Sequence, residues 1–248
     1  MRPVKKVPVK LERDPIVEAV FEIRFESKSS SASEILPGLM YDKFKASFKP
    51  PERLPIADLP KQFQELDATL RYQPRLRLDR EPFSIFIGDR SVLVSCAKPY
   101  VGWPSFKPMI IDAMNALRQT DLVSKVERCS IKYVNLIEAK SLGEQFTKLE
   151  FTAKLGGYDL TEWLTNVRTE IKEDDVITLI EVRSNAIITT PNKQVASGLF
   201  VAVDAIHPSP TEFWENLAQF VEKVHTKEKQ VFFDLLTEDA KTSLGAQY

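Results

Sequence analysis

Few residues in this sequence could carry out chemistry. Histidine occurs twice, as His207 before Pro208 and His225 among lysines near the C-terminus. Cysteine also occurs twice, as Cys96 and Cys129, each inside an apolar run. These four residues form no H-E-x-x-H or C-x-x-C spacing, the kind that lets side chains of one element converge on one ion, so no metal site is expected. The eight glycines include no G-x-G-x-x-G or G-x-x-x-x-G-K-[ST] run, and Gly156-Gly157 reads as a turn. Without such a phosphate cradle, no nucleotide or other cofactor is expected. No G-x-S-x-G elbow occurs either, and no catalytic residue is assigned.

Carboxylates are plentiful, with 35 Asp and Glu in the chain. Glu18 and Glu22 fall on one side of a single strand, ~13 Å apart at ~3.3 Å per residue. That is wider than the carboxyl pairs of glycosidases. With them, alternation puts Arg24, Arg128, Lys132, Glu181, Arg183, Asn185 and Asp204 on the polar side of successive strands. The plain reading is a solvated, salt-bridged sheet face. The functional reading is a polar binding face, and its enzymatic version is a pocket formed by Glu18, Arg24, Arg128 and Asn135.

The sharpest basic feature is Arg71-Tyr72-Gln73-Pro74-Arg75-Leu76-Arg77. Read as a strand, it sends Arg71, Arg75 and Arg77 to one side, where two-residue steps of about 7 Å can track phosphates while Tyr72 or Tyr100 stacks on bases. Pro74 marks an edge strand instead, on which charges guard against aggregation. Lys98-Pro99-Tyr100-Val101-Gly102-Trp103-Pro104 adds a cation and two aromatics in a loop, a composition suited to binding. The competing role for Trp103 is to staple the following helix onto the sheet.

The elements that would position these residues follow from periodicity. Val17–Glu26 alternates apolar and charged, as a half-buried strand does. Ser33 is expected to cap a helix with a stripe of Leu36, Leu39, Met40, Phe44 and Phe48, and the prolines make 49–62 a connecting loop. Strands are expected at Ala68–Asp79, Pro82–Ile87 and Ser91–Ala97, the last two joined by Gly88-Asp89-Arg90. Ser105 is expected to cap a helix with the face Phe106, Ile110, Met114 and Leu117. Further strands are expected at Glu127–Glu138, Lys148–Lys154, Val167–Lys172, Val176–Ile188 and Gly198–Ile206, with a short helix at Asp159–Asn166. A long helix from Thr211, broken near Lys227–Lys229, and a short one capped by Thr237 complete the chain.

This order predicts an α+β fold, an antiparallel sheet with helices on one face. A basic arm, 1–13, would precede a single domain, 14–248. The two halves, 15–120 and 126–240, share the order strand, helix, strands, helix, which a duplication would explain. Val17, Phe21, Ile23, Met114, Leu117, Ile131, Tyr133, Leu217 and Phe220 are the predicted core. Cys96 and Cys129 should be buried, unbonded thiols.

The chain has 248 residues, of which 43% are apolar and 28% charged, with a net charge of -1. That composition excludes disorder of the whole chain and a strongly basic nucleic-acid binder. Charge is uneven: residues 1–125 carry 21 Lys and Arg against 16 Asp and Glu, and the remainder carries 13 against 19. A partner of the first half should therefore be acidic. Met1-Arg2-Pro3-Val4-Lys5-Lys6 lacks the apolar core of a signal peptide, and no run of ~18 apolar residues occurs, so a cytoplasmic, non-membrane protein is expected.

Four segments together carry a family resemblance: Leu11–Phe25 (LERDPIVEAVFEIRF), Tyr100–Trp103, Arg128–Ile137 (RCSIKYVNLI) and Val224–Leu235. They resemble a sporadically distributed, uncharacterised bacterial family of about this length. Its members open with a Pro-Pro-Ile-x-Glu-Ala strand, carry Arg-x-x-x-Arg-Tyr-x-Asn mid-chain and end in a phenylalanine-containing helix. Asp14 stands here where a second proline is usual, and Lys132 where arginine is usual, so Lys132 lacks the bidentate fork. The resemblance brings no established activity; its patchy occurrence implies a mobile-element or antiviral defence setting. The reading is a non-enzymatic binding protein whose partner is another protein, encoded nearby, with Arg71, Arg75, Arg77, Lys98, Tyr100 and Trp103 at the interface. A nucleic-acid-binding module is the alternative, an enzyme of unrecognised type is third, and an oligomer is compatible with each.

Overall fold

The alternation that opens the chain becomes strand β2, Ile16–Ser27, in which Ala19, Phe21, Ile23 and Phe25 are fully buried while the charged residues between them are not. In this computed structural model the described residues are 6–30, 32–60, 67, 70–189 and 195–248. Before β2, the short strand β1 (Lys10–Leu11) pairs antiparallel with the C-terminal β13 (Ala246–Gln247), which ties down part of the predicted basic arm. Residues 1–5 of that arm lie outside the described residues.

The fold is α+β. Nine strands form an antiparallel sheet in the order β10-β11-β12-β7-β2-β6-β5-β4-β3. In chain order after β2 come helix α1 (Ala32–Phe44), β3 (Glu52–Arg53), β4 (Leu76–Arg80), β5 (Phe83–Ile87), β6 (Ser91–Ala97) and helix α2 (Trp103–Gln119). They are followed by β7 (Val123–Glu138), helix α3 (Leu142–Phe146), the hairpin strands β8 (Lys154–Leu155) and β9 (Tyr158–Asp159), β10 (Asn166–Glu173) and β11 (Val176–Thr189). The chain closes with β12 (Val195–Pro208), helix α4 (Leu217–Leu235), helix α5 (Glu238–Ser243) and β13. No helix among the described residues is long and apolar enough to cross a membrane.

Contacts divide the chain into two compact units. One comprises Ala19–Ile131 and Ile206–Val224, the other Met1–Glu18, Lys132–Ala205 and His225–Tyr248. In the first, β4, β5 and β6 form a regular meander whose paired residues Leu78, Ile85 and Val94 are all fully buried. Helix α2 lays its predicted stripe of Phe106, Ile110, Met114 and Leu117 into this core, all at 0% exposure. In the second unit, Ile180, Val182, Leu199, Val201 and Val203 form one sheet face, covered by Phe232, Phe233 and Leu236 from the end of α4 and the residue after it. Gly198 is required there: a Cβ would stand 2.2 Å from the Ile137 carbonyl oxygen.

Several local expectations are corrected. Ser33 lies within α1 and does not cap it; its backbone N–H and hydroxyl both donate to Asp89 Oδ1, at 2.9 and 2.8 Å. Helix α2 starts at Trp103 rather than after Ser105, with Gly102 at φ 85° before it and Pro104 in its first turn, where a missing N–H costs nothing. The 49–62 loop contains β3 and a 3-10 turn at Pro55–Asp58, residues 61 and 62 lying outside the described residues. The expected strand Ala68–Asp79 begins only at Leu76, because residues 70–72 are a turn closed by Gln73 N–H donating to the Leu70 carbonyl at 3.0 Å; residues 68 and 69 lie outside the described set.

In the second half of the chain, Lys148–Lys154 contributes a single bridge, Leu149 with Leu236, before the two-residue β8. Asp159–Asn166 holds only a 3-10 turn at Leu160–Glu162, with Asp159 capping it through Thr161 N–H. The long helix begins at Leu217, not Thr211, since 211–216 is turn with Glu212 at φ 51°; it then runs unbroken past Lys227–Lys229. Val17 and Phe220 are half-buried, while the other predicted core residues are buried. Thr237 caps α5, and Cys96 and Cys129 are buried free thiols, as expected.

Candidate functional site

The polar residues singled out in the sequence are placed as follows. Arg71 sits exposed in the turn, its guanidinium 5.8 Å from the Tyr72 ring centre. Arg75 has a side chain only 11% exposed; it donates to the Ala57 carbonyl at 2.7 Å and lies 3.7 Å from Asp89. Arg77 pairs with Glu52 and Asp79, each at 2.9 Å. The three therefore do not form one strip on one strand, and two of them are bound to internal acceptors. Lys98 is exposed. Tyr100 and Trp103 both set their rings edge-on to Phe106, and Trp103 Nε1 also donates to Glu222 at 3.4 Å, which is the stapling arrangement.

On the polar sheet face, the first unit gathers Glu22, Arg24 and Arg128. Glu22 accepts from Arg24 at 3.2 Å and from Arg128 at 2.5 Å. Arg24 also stacks over the Tyr72 ring at 4.5 Å, and the Tyr72 hydroxyl donates to Glu127 at 2.9 Å. Burial first, then the hydrogen bond to Glu127, raises the Tyr72 phenol above its usual range. Each charge here meets its opposite, so the cluster holds strands together. In the other unit, Glu18 and Lys132 are half-buried in their strands. Arg183 there joins Glu181 at 3.1 Å and covers the Phe200 ring at 3.9 Å. Asn135 is 1% exposed and donates to the Val201 carbonyl at 3.3 Å.

A deep concavity lies elsewhere, wholly within the second unit. Strands β10 and β11 pair in continuous antiparallel register, with Val167 opposite Val182, Thr169 opposite Ile180 and Ile171 opposite Thr178. Opposed residues share a face, so these six side chains make one floor. Helix α4 crosses above it with Lys227, Gln230, Val231, Asp234 and Leu235, a stripe at helical spacing. The third wall is the extended segment 149–152, held to the helix end by Glu150 N–H donating to the Leu235 carbonyl at 2.8 Å. Together they enclose about 920 Å³, within the range of natural ligand clefts.

Its floor and walls are mostly apolar, and Phe151, Ile171, Val231 and Leu235 are only partly buried against the core beneath. The rim is acidic: Glu150, Glu173 and Asp234 against Lys227, whose ammonium is already held by Glu173. Among the floor residues, Thr178 is 1% exposed and no group among the described residues hydrogen-bonds its Oγ1. A hydroxyl withdrawn from water in this way costs about 1–3 kcal/mol. It leaves a hydrogen-bonding group at the base of an otherwise greasy groove.

Two further features adjoin. Beyond segment 149–152, the 154–164 stretch exposes Leu155, Tyr158, Trp163 and Leu164 at 69, 65, 55 and 74%, with the Tyr158 and Trp163 rings in edge contact at 6.2 Å. On the inner side of α4, Glu228 is 4% exposed, and burial, then the Asp204 carboxylate, push its carboxyl well above the usual range. His225, one turn earlier, meets the Tyr133 hydroxyl at 3.4 Å. No group of histidine, cysteine and carboxylate side chains among the described residues is arranged to hold a metal ion.

No protein-family model and no curated protein matches this sequence. The groove was missed in the sequence because its three walls come from segments up to 86 residues apart, 149 to 235. One signal was present: Val176, Thr178, Ile180 and Val182 occupy the apolar phase of β11, and threonine is the odd residue in that run.

Proposed function

We propose that this protein is a binding protein whose groove between α4 and the β10–β11 floor takes an apolar segment of a partner protein flanked by basic residues. The observation that carries the reading is the groove itself: about 920 Å³, apolar inside, with three carboxylates to one lysine at its rim. Half-exposed aliphatic and aromatic side chains supply the desolvation energy that anchors a partner, while rim charges select its sign. The exposed 154–164 apolar stretch extends the contact area along the chain.

This reading keeps a protein–protein role but moves it from the Arg71–Arg77 and 98–104 surface to the second unit, and it reverses the expected charge of the partner from acidic to basic. The arginines offered for phosphate tracking are largely engaged with Glu52, Asp79, Asp89 and Ala57, which removes the main support for nucleic-acid contact. The family resemblance supports a cytoplasmic setting in a mobile or defence-associated system, with the partner encoded nearby.

Selection of peptides from a random display library against the full chain tests the reading. Enriched peptides should combine one or two large apolar residues with Lys or Arg. Their affinity should fall with salt and collapse when Val231→Trp fills the groove. Enrichment of acidic peptides, or undiminished binding to Val231→Trp, would contradict it.

A further inference from the structure

Strand β10 ends the sheet: it pairs with β11 on one side and is last in the strand order. Its eight residues, Asn-Val-Arg-Thr-Glu-Ile-Lys-Glu, contain no proline or glycine, and its register with β11 has no bulge. The opposite edge of the sheet, β3, is only two residues long. A long, regular edge is a template for another strand, and natural proteins normally blunt it. Among the described residues the only such device here is charge, and the order of the charges matters.

Antiparallel pairing of β10 with a second β10 about a two-fold axis is restricted. Opposed residues must share a face, so the axis passes through a residue, and that residue opposes itself. With the axis at Arg168, two arginines meet. With the axis at Glu170, two glutamates meet and Arg168 faces Lys172 twice. With the axis at Ile171, only residues 169–173 lie within both strands.

The axis at Thr169 differs from all of these. It engages residues 166–172 and opposes Arg168 to Glu170 twice, Val167 to Ile171 twice, Asn166 to Lys172 twice and Thr169 to itself. All charged pairs are then complementary and all apolar residues meet apolar ones. Arg168, Glu170 and Lys172 are exposed, and none of the ion pairs among the described residues engages them. Arg168 also stands opposite Glu181 of β11. In the pair it would lie between two carboxylates, Glu181 of its own chain and Glu170 of the second copy.

We infer that the protein forms an isologous dimer by antiparallel β10–β10 pairing centred on Thr169, so that the occupant of this edge is a second copy of the chain. The axis is perpendicular to the sheet and preserves its faces, so both grooves open on the same side of a continuous β11-β10-β10-β11 sheet. The inference goes beyond the groove reading and does not depend on it: the edge can pair whether or not the groove binds a partner.

The test is a charge-exchange cycle on the full chain, read by sedimentation equilibrium at concentrations up to about 100 μM. Wild type should dimerise. Arg168→Glu sets a carboxylate at position 168 of each copy against the native Glu170 of the other. Glu170→Arg sets a guanidinium at position 170 of each copy against the native Arg168 of the other. Each variant alone should associate at least about tenfold more weakly than wild type, as two complementary pairs become two like-charge pairs. Both should keep the wild-type circular dichroism and a cooperative melt, with Arg168→Glu the less stable because it also faces Glu181 of its own chain.

Mixed one to one, the two variants should associate again as a heterodimer. The carboxylate introduced at position 168 of one chain then meets the guanidinium introduced at position 170 of the other, and the native Glu170 of the first chain meets the native Arg168 of the second. A wild-type chain that stays monomeric at about 100 μM overturns the inference. Dimerisation unaffected by either substitution, or loss of association that mixing does not restore, overturns it as well. Peptide binding in the groove is measured separately and is expected to persist in the monomeric variants.

Discussion

Replacing Thr178 by valine removes one hydroxyl and leaves the shape of the side chain. In β11 the residue is 1% exposed, faces Ile171 across the strand pair, and has no hydrogen-bond partner for its Oγ1 among the described residues. Burying such a hydroxyl costs about 1–3 kcal/mol on mutational scales, and valine fits a pleated strand at least as well as threonine. Thr178→Val should therefore raise the free energy of unfolding by about 1–2 kcal/mol. For a chain of this length that corresponds to about 2–8 °C in melting temperature. Guanidinium melts followed by tryptophan fluorescence, with an unchanged slope, would measure it. The same substitution should leave groove-selected peptides bound, because a hydroxyl with no exposed surface offers them no contact. A less stable Thr178→Val would contradict the expected gain, because the hydroxyl would then be well satisfied in the free protein.

Three other outcomes follow from the packing and the titrating groups. Phe21, fully buried in β2, should cost about 3–5 kcal/mol when changed to alanine, visible as a lower denaturation midpoint. Burial pushes the Cys129 thiol up to about 12, and Cys96 is equally inaccessible, so native protein should label with a thiol reagent only as fast as it opens. Glu228 has a carboxyl pKa raised by burial and by Asp204. The folded state therefore holds that proton more tightly than the unfolded chain, and stability is lost as pH climbs from the ordinary glutamate value through the raised one. Glu228→Gln should be more stable than wild type at the alkaline end, the gain fading as pH falls toward about 4.5 and absent below it; equal melting curves of the two proteins from pH 4 to 9 would contradict it.

Periodicity within single elements was fully legible. The alternation of β2 and the Phe106, Ile110, Met114, Leu117 stripe of α2 each reflect one element against one apolar surface, and they stand as read. Element starts were less so. Serine and threonine next to proline suggested a cap at Ser105 and a helix start at Thr211. In the structure Gly102 takes the left-handed turn before α2, and Glu212 takes one in the turn that precedes α4. The Lys227–Lys229 run looked like a break, yet the helix continues because Glu228 turns inward and the lysines outward, to Glu173 and to the Val9 carbonyl. The arginine strip failed for a related reason: residues 70–72 close a turn, which removes the alternation that would have aligned Arg71 with Arg75 and Arg77. A groove walled by three remote segments leaves no periodic trace beyond the one threonine in an apolar phase.

A partner seated in the α4/β10–β11 groove must perturb the methyl groups that line it. Methyl-resolved NMR of the full chain, titrated with the tightest display-selected peptide, tests it most directly. Shifts should concentrate at the methyl groups of Val167, Ile171, Thr178, Ile180, Val182 and Val231, with those of Leu76, Val94 and Ile110 in the other unit unmoved. Shifts that instead cluster at Leu76 and its neighbours around Arg75 and Arg77, with the groove methyls silent, would contradict it and return the interaction surface to the arginines.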